Sequence, residues 1–151
     1  MKKYLLLFTF SALALTSCED DIQNYELDML KGEWKTAKQE VISGADNSTA
    51  IQTYIPTGCD AKSITEFRTD YYAAYTAYSG VGADCTSTKM EGKFDYNTEN
   101  KELVIKYDNY SDMKYKIIIL SSSELKMKQM FDNIDIDGDQ VIDTTYISFK
   151  R

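Results

Sequence analysis

From Trp34 to Lys150, apolar and polar residues alternate in short runs separated by turn-forming residues, which is the period of antiparallel strands with one dry and one wet face. The second half of the chain carries the clearest runs. Met90, Gly92, Phe94 and Tyr96 alternate with Glu91, Lys93 and Asp95, Asn97 to Asn100 supply a turn, and Leu103, Ile105 and Tyr107 alternate with Glu102, Val104 and Lys106. Tyr115, Ile117 and Ile119 then share one side of the run from Lys114 to Leu120, Leu125, Met127 and Phe131 share one side of the next, and Thr144 to Lys150 forms a last strand. In the first half, strands are predicted from Trp34, over Ile64 to Thr69 and over Tyr71 to Tyr78, although Ala73, Ala74 and Ala77 would equally suit a helix. Ile22, Tyr25, Met29 and Leu30 fall at helical spacing and predict a short helix that Gly32 ends. About eight nearly sequential strands make a mainly β chain, an eight-stranded antiparallel up-and-down barrel with a short N-terminal helix.

The segment ahead of the helix follows another pattern. Lys2 and Lys3 precede a mostly apolar stretch from Tyr4 to Leu15, shorter than the roughly 20 residues a membrane-spanning helix needs, so it reads as a secretory signal. Leu15, Thr16, Ser17 and Cys18 resemble the lipobox of bacterial lipoproteins, which implies acylation of Cys18 and attachment to the outer membrane through acyl chains. Glu19, Asp20 and Asp21 look like the surface-export tag of some Gram-negative lipoproteins, or serve as a solvated tether, so the periplasmic side and the cell surface both stay open. The boundaries are a signal peptide at 1–17, an acidic tether at 18–24 and one folded domain at 25–151.

Charge and composition narrow the chemistry. The formal charge is −7 and becomes −9 once Lys2 and Lys3 leave with the signal, a poor surface for nucleic acid. The chain has no histidine, which removes histidine-activated nucleophiles, imidazole-ligated zinc and imidazole proton transfer. Its 24 acidic residues offer carboxylate pairs, but no spacing singles one out, and the reading is of a protein that is not an enzyme. With Cys18 acylated, Cys59 and Cys85 remain in an oxidising compartment without a CxxC spacing, and they should form a structural disulfide.

Gly32 and Trp34 fit the Gly-x-Trp of lipocalins, and the helix-like lead, the lipidated start and the strand count together resemble the lipocalin-like domains of bacterial envelope lipoproteins. The resemblance implies that Trp34 plugs the closed end of the barrel and that a cation of the last strand, Lys150 or Arg151, covers its ring.

Inside such a barrel, Tyr96, Tyr107, Tyr115, Met127, Gln129 and Phe131 share the inward alternation. They make either a cup for a small apolar or amphipathic ligand or a barrel filled by its own side chains. In the filled case the protein serves protein or glycan partners, with Tyr71 and Tyr75 on one face of their strand and Tyr72 and Tyr78 on the other. No cofactor is certain. Asn133, Asp135, Asp137, Asp139 and Asp143 place oxygens at alternate positions around Gly138, as calcium loops do, while Thr144 stands where an EF-hand has its glutamate. The same run also reads as an acidic turn that discourages edge pairing.

Overall fold

Gly32 has φ 112°, a backbone conformation open to glycine, and there the chain leaves α1 (Glu19–Leu30) and enters β1 (Gly32–Ile42). The computed structural model describes residues 19–130 and 134–151. After β1 come β2 (Ala50–Tyr54), β3 (Ile64–Phe67), β4 (Tyr72–Val81), β5 (Asp84–Asn97) and β6 (Glu102–Tyr107). The last three are β7 (Met113–Leu120), β8 (Glu124–Gln129) and β9 (Thr144–Lys150). All pairings are antiparallel in the order β2-β1-β3-β4-β5-β6-β7-β8-β9, and β1 also pairs with β9, so the sheet closes on itself.

Nine strands make only eight staves. Gly32 to Lys35 of β1 face β3, and Gln39 to Ile42 face β2 along the same edge, so β2 and β3 occupy one position in the wall. Between them the chain leaves the ladder at Pro56, which has no N–H to donate, and passes through a 3-10 turn at Asp60–Lys62. The eight-stave barrel is the one expected from the alternation. Tyr72 to Val81 is strand and not helix, because β5 pairs with its whole length and β3 with Ala73 to Thr76, and that pairing overrides alanine's helix propensity.

The core fills the end of the barrel nearest α1. Leu30, Trp34, Leu103 and Leu125 are fully buried there, and Phe67 meets Phe94 edge to face with ring centroids 5.1 Å apart. Trp34 Nε1 donates to the carbonyl of Leu30 at 2.7 Å, and the Arg151 guanidinium lies 3.9 Å from the centre of the Trp34 ring. Arg151 also donates to the carbonyls of Met29 and Lys31, groups that the end of α1 leaves without helical partners. Of the two cations considered at the sequence level, Arg151 covers the tryptophan. Gly92 allows β5 to press against β6, since a Cβ there would sit 2.0 Å from the Lys106 carbonyl oxygen.

Cys59 and Cys85 form a disulfide across a sequence separation of 26, tying the break between β2 and β3 to the start of β5. Closing a loop of that length stabilises the fold by about 3 to 4 kcal/mol in the chain-entropy view. Replacing both cysteines by serine should lower the unfolding free energy by about that amount in urea titrations with unchanged far-ultraviolet circular dichroism.

Candidate functional site

Beyond the filled end, the inward side chains stop short of one another and leave a cavity of about 470 Å³, within the usual range for small-molecule sites. Tyr107, Tyr115 and Met127 line it as the alternation predicts. Tyr75, Met90 and Met113 add further apolar wall, and the exposed Tyr54, Asp60 and Ser79 stand on its open side. The side chains of this half therefore leave part of the interior unfilled.

Two of the predicted lining residues stand elsewhere, and a third is not described. Tyr96 lies two positions past Phe94 toward the closed end, where its hydroxyl donates to Glu26 of α1, so it packs the plug instead of the cup. Gln129 ends β8 half-buried and is not among the residues around the cavity. Phe131 lies outside the described residues. The tyrosines of β4 also divide differently from a simple two-face strand. Tyr71 sits in the turn before β4 with φ 61° and leans on Phe94, Tyr72 points outward between Arg68 and Lys89, and Tyr75 and Tyr78 both reach the cavity. Met90 carried an inward signal in the sequence, since it belongs to an alternating run, whereas Tyr75 lies in a run that does not alternate. Thr65, Gln39 and Met113 were hidden, because only the three-dimensional register shows how high each strand stands along the barrel axis.

A second hollow of about 570 Å³ lies outside the barrel over the β5–β6 turn, lined by Tyr71, Asp95, Asn97 and Glu102 among others. It is larger but shallow, and its polar groups are already engaged: the Asn97 side chain accepts from Glu99 and Asn100, and Asp95 pairs with Lys106. The interior cavity, with its more apolar wall, is the better candidate for holding an apolar molecule.

Burial raises the pKa of the Tyr107 hydroxyl well above the ordinary phenol value, and the neighbouring Tyr115 and Tyr75 push the same way. Tyr96 is raised by burial first and by its hydrogen bond and proximity to Glu26 next.

The acidic loop before β9 is organised by its own carboxylates. Asp143 is buried and accepts from the backbone N–H groups of Gly44 at 3.0 Å and Ile136 at 2.7 Å, which clamps this loop to the β1–β2 turn. A Cβ on Gly44 would lie 2.2 Å from the Ile142 carbonyl oxygen, so the clamp needs glycine there. Asp135 accepts from Gly138 and Gln140, and Asp137 faces the Ser43 hydroxyl. Carboxylate oxygens of Asp135, Asp137 and Asp143 lie within 4.8 Å of one another. Asp139 turns away to accept from the Val141 N–H and is not in that group, and Asn133 lies outside the described residues. Burial, and then the charges of Asp139, Asp143 and Asp135, raise the pKa of Asp137.

The family model described as a lipocalin-like domain matches residues 30–127, and the chain belongs to that family. Its closed antiparallel barrel with one short helix is the fold that membership entails. Solved structures similar to this chain include a bovine lipocalin allergen, 16% identical over 83% of this chain and 74% of that one with a TM-score of 0.43. A bovine odorant-binding protein, a deswapped triple mutant, is 14% identical over 82% of this chain and 74% of that one with a TM-score of 0.41. A dog lipocalin allergen is 13% identical over 81% and 73% with a TM-score of 0.40. No curated protein matches the sequence significantly.

The raised tyrosines set a pH dependence. Because the folded state keeps a phenolic proton that the unfolded chain gives up near pH 10, their stabilising contribution is complete below about pH 10 and falls as the pH rises beyond it. Melting temperature should therefore drop steeply between about pH 10 and pH 11.5, and Tyr96→Phe with Tyr107→Phe should flatten that slope.

Proposed function

We propose that this protein is a lipoprotein tethered to the outer membrane through acyl chains on Cys18, and that its barrel is a non-enzymatic binding module for a small apolar or amphipathic ligand. The observation that carries the binding reading is the cavity of about 470 Å³, walled by tyrosine, methionine and aliphatic side chains and opening on one side. Methionines suit such a wall because they adapt to ligands of irregular shape. Membership of the lipocalin-like domain family supports the same reading. Tethering is supported by the lipobox-like Leu15, Thr16, Ser17, Cys18. No helix among the described residues is long and apolar enough to cross a membrane.

Two measurements test these statements. Purified protein should enhance the fluorescence of an apolar dye such as N-phenyl-1-naphthylamine at micromolar affinity with a single-site isotherm, and the absence of any uptake would end the binding-module reading. Cys18→Ala should move the protein from the membrane fraction to the soluble fraction, and an unchanged distribution would end the lipoprotein reading.

Calcium at the acidic loop is the second part of the proposal. Asp135, Asp137 and Asp143 offer three carboxylates within reach of one ion, the remaining oxygens coming from loop carbonyls and water, and a cation would relieve the repulsion that raises Asp137. Affinity in the millimolar range of extracellular modules is expected. The melting temperature should rise by a few degrees at millimolar calcium relative to chelator, and Asp137→Asn should abolish the rise.

A further inference from the structure

The cavity wall offers hydrogen-bonding groups without offering a cation. Among the described residues around it there is no lysine or arginine. The sole charged side chain is Asp60, on the open side, where its carboxylate accepts the Tyr54 hydroxyl at 2.6 Å. The other polar groups around it are neutral, the Gln39 amide and hydroxyls that include those of Thr65, Tyr75, Tyr107 and Tyr115.

Tyr107 is the telling one. Only 7% of the residue is exposed, its ring lines the cavity, and no described residue hydrogen-bonds its hydroxyl. Its oxygen is not sealed in the protein, since no fully buried side-chain oxygen among the described residues lacks a partner. The hydroxyl thus opens on the cavity, where a ligand oxygen can take its hydrogen bond. A carboxylate in the same place would lose its water and find no counter-charge. It would also approach against Asp60 and a chain of net charge −7.

We propose that the cavity selects an uncharged amphiphile bearing one hydrogen-bonding oxygen, which meets the Tyr107 hydroxyl, and that it rejects carboxylates of the same length. The inference rests on the binding-module reading above and adds the ligand's charge class to it. Tyr107 is here a specificity-determining residue that also belongs to the buried core, and because Tyr107→Phe keeps its ring in place, loss of the hydroxyl alone should alter selection more than folding.

The test is displacement of N-phenyl-1-naphthylamine by 1-decanol, decanoate and decylamine near neutral pH. Decanol should compete, decanoate and decylamine should be weaker by about tenfold or more, and Tyr107→Phe should weaken decanol by about five- to tenfold while leaving dye affinity within about twofold. Gln39→Lys, which places a cation on the wall, should raise decanoate affinity. Decanoate or decylamine equalling decanol in the wild-type protein, or decanol unaffected by Tyr107→Phe, overturns the selectivity while dye uptake keeps the binding module. No dye uptake by the wild-type protein overturns both.

Discussion

The barrel depends on how its one tryptophan is held. Trp34 is fully buried, its indole N–H donates to the last carbonyl of α1, and Arg151 lies across its face while donating to two more carbonyls of the same helix end. The arrangement links the helix and the first strand that follows it to the distant end of the chain. A helix C-terminus carries partial negative charge and unpaired carbonyls, so the guanidinium satisfies them and stacks on the ring at once. Because β1 and β9 meet beside this plug, the same contacts that bury Trp34 also close the sheet and leave no free edge there.

A barrel sealed and filled at one end can keep the other end hollow. The largest fully buried side chains, Leu30, Trp34, Phe67, Leu103 and Leu125, belong to the plugged half. The open half is held instead by its closed hydrogen-bonded wall and by the disulfide at the break in the second stave. That break is where the wall is least continuous, and the Cys59–Cys85 bridge fixes the detour beside the open side, near Asp60 and Tyr54. The methionines and tyrosines that remain around the space give a surface that is apolar in area and neutral in its polar groups.

The acidic loop serves a different purpose from the cavity. Its aspartates mostly accept backbone N–H groups, and Asp143 reaches across to Gly44, so the loop is pinned to the turn between β1 and β2. Five aspartates in twelve residues, 132 to 143, would repel one another in an extended chain. Folding turns part of that charge inward onto amide donors, which is why a run that reads as solvated polar sequence contains a buried carboxylate.

Alternation in the sequence was enough to establish the strands from Met90 to Gln129, because a half-buried antiparallel wall imposes a period of two that no helix shares. The Gly32 and Trp34 pair and the two cysteines were likewise legible, since each is a rare residue type with a narrow structural use. Alternation says which side of a strand faces in, but not how far along the barrel axis each residue stands. Tyr96 and Tyr107 both face inward, yet one reaches Glu26 at the plug and the other reaches the cavity, a difference fixed by strand register. The division of β2 from β3, the clustering of Asp135, Asp137 and Asp143, and the absence of any cation around the cavity likewise emerged only from pairing between distant segments. Local periodicity is a property of neighbours in the chain, whereas height, depth and charge inside a closed wall are set by which strands meet and at what offset.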